Sequence, residues 1–299
     1  DADSIRLYYR MLALDPVPET PESPEQLPPE EPPAAPEESG GGDILARLGA
    51  LLFPSALAEP GNFIASGSLM LTSAGEPVAA NANTGELYLT LQDAVDEAED
   101  GDTLEVLADI ALDSTVSIDK PLQLVADGSF CLSRGGFDSG PLLEALGGGA
   151  LTLGGSGSLT LDGDDRGGCV VGNWNNTLIL RDGAKITGGS ADGAYTGGVY
   201  NFGTFIMLGG TISGNGGGGV TNGIDKMFTM SGGTISGNSA EYGGGVYNLG
   251  AFTMTDGTIS GNSAEYGGGV RSDIAFTMTG GRISGNSADY GGGAYTGGP

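Results

Sequence analysis

An all-β fold wound as a parallel β-helix of about 24 residues per coil is what this sequence predicts, and three observations predict it. The first is a period. Ile186, Ile212, Ile235, Ile259 and Ile283 mark equivalent positions at spacings of 26, 23, 24 and 24 residues. The second is what travels with each Ile. Phe205, Phe228, Phe252 and Phe276 precede it by seven residues, Met207, Met230, Met254 and Met278 follow each Phe by two, and Asn215, Asn238, Asn262 and Asn286 follow each Ile by three. The third is where the phrase tolerates change. The Phe-to-Ile segment is constant, while the segment from Asn215 to Val220 is three residues shorter than its successor and the one from Val220 to Phe228 is two longer, so length varies only in turns. The 58 glycines follow no Gly-X-Y period, which excludes collagen, and no 3.6-residue period survives to support helical repeats.

Each element follows from local chemistry. Residues 15–36 hold nine of the 15 prolines interleaved with Glu, a composition that cannot repay ordering entropy, so 1–60 is expected to be an acidic, disordered segment. Within it, 44–58 (ILARLGALLFPSALA) is an apolar stretch ending in Ala56-Leu57-Ala58. It reads equally as an export signal behind an extended start or as an internal docking segment, because its flank is acidic rather than basic. Residues 61–84 are expected to be an irregular lead-in. Thr90 and Asp93 then cap a helix whose Leu91, Ala94, Val95 and Ala98 fall on one face, with Gly101 as its stop. That helix is the expected plug of a solenoid covering 85–299, which breaks off in mid-repeat.

In the regular repeats three short strands per coil are expected, around Val246, Phe252 to Met254, and Ile259. Coils stacked about 4.8 Å apart place every Phe, Met, Ile and Val on its own kind. The Asn column is expected to form an internal amide ladder, and the Gly triplets to make tight turns with positive φ.

These phrases, Gly-Gly-Thr-Ile-Ser-Gly-Asn-Ser-Ala and Gly-Gly-Gly-Val-Tyr-Asn, together with residues 86–128, resemble the pectin-lyase-like superfamily. Within it they look most like the repeats of bacterial surface and autotransporter adhesins such as the chlamydial polymorphic membrane proteins. The resemblance implies a right-handed parallel β-helix, secreted or held at a bacterial cell surface, binding a carbohydrate or a host-surface protein without catalysis. It also implies an alternative, a polysaccharide lyase or glycoside hydrolase on the same scaffold, with a structural stalk or an ice-binding solenoid as third readings.

Charge and composition bound the function. With 38 acidic against 11 basic residues the net charge is -27, which repels nucleic acid. There is no histidine, hence no imidazole base or metal ligand. No apolar run reaches the roughly 18 residues of a spanning helix. Cys131 and Cys169 leave both a disulfide and two free thiols open.

The candidate sites are few. Asp225 with Lys226, and Arg271 with Asp273 two coils later, form the best catalytic constellation; counting coils puts the two carboxylates about 9–10 Å apart, an inverting-glycosidase separation. Glu241, Glu265 and Asp289 place one acid per coil in the same turn and are the candidate Ca²⁺ ligands, calcium being the one cofactor considered. Tyr242, Tyr266 and Tyr290 form an aromatic column suited to stacking on sugar faces, or to covering the core edge. Outward hydroxyls of Thr229, Thr253 and Thr277 are the feature behind the ice-binding reading, interrupted by Ile206 and Leu208.

Overall fold

The computed structural model describes residues 75–191 and 197–297. The expectations for 1–60 and its apolar stretch lie outside the described residues. The chain divides into two units, Asp1–Ala74 and Gly75–Pro299, of which the second carries the fold.

The described part of the lead-in is not irregular. Ala79–Asn81 forms a strand, β1, antiparallel to both β2 (Leu87–Tyr88) and β3 (Thr103–Val106). Asn81 makes this possible: its buried carboxamide donates to Asp102 at 2.7 Å and accepts from the Asn83 backbone N–H at 2.9 Å, closing the turn. The expected helix, α1, spans Leu91–Glu97, with the Thr90 hydroxyl accepting from the Asp93 N–H at 3.1 Å and Leu91, Ala94 and Val95 buried. It ends before Gly101, because Ala98 already turns to an extended backbone while donating to the Ala94 carbonyl.

Beyond α1 the chain is a mostly-β parallel solenoid of about 8 turns at a spacing of about 24 residues. Three columns of strands run along it. One is built from Val-x-Asn strands and extends from Val116–Ile118 through Val246–Asn248 to Ala294–Thr296. A second carries Phe and Met, ending at Ala275–Met278, and a third carries Ile, ending at Arg282–Ser284. The alternation of a strand sends Val246 and Asn248 inward and Tyr247 outward.

Register places like on like. Phe228, Phe252 and Phe276 pair in order, and the rings of Phe205, Phe228, Phe252 and Phe276 stack at 4.8, 4.6 and 4.9 Å with planes within 14°. Burying each such side chain stabilises by roughly 1.5–3 kcal/mol, comparable with the cost of ordering only a residue or two of backbone, so coils hold one another rather than themselves. The amide ladder is present and complete in its bonding. Asn215, Asn238 and Asn262 each donate a side-chain N–H to the next Asn Oδ1 at 2.9 Å, and a backbone N–H to the same oxygen at 2.9–3.0 Å. The remaining amide hydrogen goes to an Ile carbonyl one coil back, as from Asn238 to Ile212 at 3.1 Å. Two donors and one doubly accepting oxygen are thus all used.

A second ladder was not foreseen. Asn173, Asn201, Asn222 and Asn248 bond in sequence at 2.7 Å and end on the Ser272 hydroxyl at 2.9 Å. Its first member, Asn173, is left with an unpartnered buried Oδ1 because Ala145 occupies the position one coil earlier. A further difference lies in the segments expected to be turns. Ser239–Tyr242, Ser263–Tyr266 and Ser287–Tyr290 are strands and pair in parallel as a separate three-stranded sheet.

The ladder accounts for a testable fraction of stability. Asn238→Ala strips an acceptor from two buried Asn215 donors and is expected to cost about 3–5 kcal/mol, whereas the outward Thr253→Ala costs under about 1 kcal/mol. Urea denaturation checks this: the midpoint falls steeply for the first variant only, with the slope unchanged. Equal midpoints contradict it.

Candidate functional site

The three extra strands matter because of where they put their tyrosines. Each Tyr is followed by three glycines and then by a strand of the first column, Val246–Asn248, Val270–Ser272 or Ala294–Thr296, and the Gly triplet folds that corner tightly. Gly243, Gly267 and Gly291 take φ of 61°, 71° and 68°. The second glycine has no room for a side chain: a Cβ on Gly244 would strike the Ser263 carbonyl oxygen of the next coil. The consequence is that residue i and residue i+5 emerge side by side, Tyr242 next to Tyr247 with ring centroids 5.9 Å apart. In the next two coils the same pair of positions is Tyr266 with Arg271, and Tyr290 with Tyr295. Stacking turns the pairs into a tile of two columns and three coils.

In the first column Tyr242, Tyr266 and Tyr290 stack at 5.6 and 4.9 Å with planes 22° and 10° apart. The expectation that their faces receive sugars meets a geometric fact here. The faces lie against each other, so the column presents ring edges and phenol hydroxyls to solvent. Tyr242 is 36% and Tyr290 55% exposed. In the second column Arg271 takes a tyrosine's place between Tyr247 and Tyr295, its guanidinium carbon 5.5 and 5.8 Å from their ring centroids and 4.3 Å from that of Tyr242. Asp273 pairs with it at 3.0 Å and accepts from the Tyr247 hydroxyl at 3.3 Å. Burial works against the Arg271 charge, but the hydrogen bond and charge of Asp273 outweigh it and raise the pKa.

The acidic residues edge this tile. A hydrogen bond to Glu241, and then its charge, push the Tyr242 phenol above its ordinary value, and Glu265 does the same to Tyr266. Burial, and then the charge of Asp273, raise Tyr247. Glu241, Glu265 and Asp289 do not gather round a point as calcium ligands would: among the described residues no three His, Cys, Asp or Glu side chains converge on a metal position.

The catalytic constellation changes on the structure. Asp273 follows Ser272, which pairs with Asn248, which pairs with Asn222, so Asp273 stands in line with Leu249 and Gly223. Asp225 instead falls in the two-residue insertion of its turn, at a left-handed φ of 57°, and has no counterpart in the following coils. Counting coils therefore gives no separation for these carboxylates, and Asp273 is already held by Arg271. Lys226 lies 5.8 Å over the ring of Phe202.

No family model, no curated protein and no solved structure matches this chain. The site is therefore read from its own geometry. Two further features bear on it. A second aromatic group, Trp174, Tyr200 and Phe202, sits outward on the Val-x-Asn column with centroids 5.5–6.0 Å apart. An open groove of about 510 Å³ is lined by Gln123, Thr152, Arg181, Asp182 and Leu208 among others, and it holds a single carboxylate, which accepts from the Gly210 N–H at 3.3 Å. Cys131 and Cys169 are free thiols, and burial pushes Cys169 up to about 12. Among the described residues no helix is long and apolar enough to cross a membrane.

Sequence reasoning found the first tyrosine column and missed Tyr247 and Tyr295. The signal was present as the phrase Tyr-Gly-Gly-Gly-Val-Tyr, whose i and i+5 positions are adjacent only once the triplet folds. The coupling to the acids is measurable. Because Tyr242, Tyr247 and Tyr266 are all raised, phenolate absorbance of the folded chain is expected to lag behind that of the urea-unfolded chain as pH rises past about 10. Glu241→Gln with Glu265→Gln removes most of the lag. Coincident folded and unfolded curves contradict the arrangement.

Proposed function

We propose that this chain is a binding module of the bacterial cell surface or secreted space, an adhesin-like β-helix of the pectin-lyase-like kind that holds a carbohydrate or host-surface ligand without transforming it. The observation that carries this reading is the tile itself: five tyrosines and one arginine held rigidly on the outside of the solenoid. Tyrosine presents a large, partly polar contact area at small entropic cost, which is the economy a binding surface needs. The reading without catalysis rests on Arg271, the one cation of the tile, being neutralised by Asp273. The resemblance of the repeat phrases to those of surface adhesins favours the location, and the net charge of -27 disfavours polyanionic ligands.

The test uses the whole chain, incubated with immobilised plant polysaccharides, amino-sugar polymers and mucins, scoring retention and new reducing ends together. Retention without new ends is expected, and Tyr266→Ala is expected to weaken it about tenfold, since one such contact contributes roughly 1–2 kcal/mol. New reducing ends that vanish in Asp273→Asn or Asp225→Asn would make the protein a glycan-cleaving enzyme instead.

A further inference from the structure

Oxidised phenols react with one another when they touch, and the tile stacks them face to face along one column only. Tyr266 and Tyr290 pair in neighbouring parallel strands, so their backbones lie one coil, about 4.8 Å, apart. Their rings are 4.9 Å apart with planes 10° off parallel, closer and flatter than Tyr242 against Tyr266 at 5.6 Å and 22°. Tyr290 is exposed, so a reagent in solution reaches the pair. The second column does the reverse. Arg271 takes the middle place there, which leaves Tyr247 and Tyr295 two coils, about 9–10 Å, apart. Glu265 adds a proton acceptor. Its carboxylate takes a hydrogen bond from the Tyr266 hydroxyl, and a phenol gives up an electron more readily when its proton leaves with it.

We infer that Tyr266 and Tyr290 are a site of oxidative coupling: hydrogen peroxide, acting through a one-electron oxidant of the haem-peroxidase class, joins them into a biphenol that staples one coil to the next. Each phenol loses one electron to the oxidant, with the Tyr266 proton passing to Glu265 and the Tyr290 proton to water. The two phenoxyl radicals form one bond between ring carbons ortho to the oxygens. The hydrogen on each of those carbons then leaves as a proton, and each oxygen regains one, which restores both hydroxyls. The chain thus loses two hydrogens as two electrons and two protons, and the peroxide that takes them up becomes two waters. The product closes a loop of one coil, about 24 residues, and narrows the unfolded ensemble as a covalent cross-link does. The site is independent of the ligand that the tile holds.

The experiment oxidises the dilute full chain with a haem peroxidase and hydrogen peroxide. A parallel arm uses a photoexcited ruthenium complex with persulfate, a one-electron oxidant small enough to reach any exposed ring. The products are denatured, cut with trypsin and mapped by mass. Fragments 227–271 and 283–299 are expected to be joined, lighter by two hydrogens than their sum, with the blue fluorescence of a biphenol and a yield independent of protein concentration. Tyr290→Phe keeps the stack and is expected to lower that yield at least about tenfold, because coupling depends on held contact, while Tyr295→Phe leaves it unchanged. The coupled chain is expected to unfold at a higher urea midpoint than the untreated one. Joined fragments that persist in Tyr290→Phe place the coupling elsewhere and overturn the inference, as does a product formed only between chains. Absence of the biphenol with both oxidants, the chain being folded by circular dichroism, overturns it too. An unchanged midpoint of the coupled chain overturns the staple.

Discussion

Everything in this molecule depends on one constraint: in a parallel coil of constant rise, a residue sits about 4.8 Å above its own counterpart, so whatever one coil buries the next must tolerate at contact distance. Apolar residues meet it easily, and Phe on Phe does so with added ring stacking. Buried polar groups meet it only if they bond to copies of themselves, and the carboxamide is the side chain that donates and accepts along one axis. That is why Asn fills both buried polar columns, and why every interior member of the Asn215 ladder is fully bonded. Where the column is broken the cost is visible. Asn173 has Ala145 behind it and an oxygen without a partner, and Ser272 ends the other ladder with a hydroxyl in place of an amide.

The same constraint decided what was legible in the sequence. From Ile186 onward the coils are copies, so period, strands and ladder could be read directly. Before it the solenoid continues on leucines in coils of unequal length. Leu124 pairs with Leu153 and Leu153 with Leu180, steps of 29 and 27 residues, and no fixed period appears although the inward positions are just as well buried. The second amide ladder was hidden for a related reason: its members stand in a Val-Tyr-Asn phrase that varies to Val-Gly-Asn, Val-Thr-Asn and Val-Arg-Ser, with unequal turns between them. Likewise Ser-Ala-Glu-Tyr looks like a turn because it holds few apolar residues, yet pairing with its own copies in the next coils makes it a strand.

The surface is the image of this interior. Once Val and Asn are fixed inward, the residue between them points out, and the Gly triplet brings it beside the tyrosine five positions earlier. Arg271 shows what the outward column admits: it slots between Tyr247 and Tyr295, with Asp273 supplying the countercharge. The tile was half legible, its first column from repetition alone, while its second required the corner geometry. Asp225 shows the opposite case, since it falls in a two-residue insertion that has no counterpart in the following coils.

If like-on-like columns carry the stability, a coil should be an additive unit. The direct measurement is urea unfolding of a variant in which residues 246–269 are duplicated in tandem after Gly269. The account predicts an unchanged per-residue circular dichroism spectrum, a higher midpoint and a steeper slope, because one more copy buries one more set of columns. A midpoint that stays put or falls, with the spectrum retained, would contradict it and place the stability in the N-terminal plug instead.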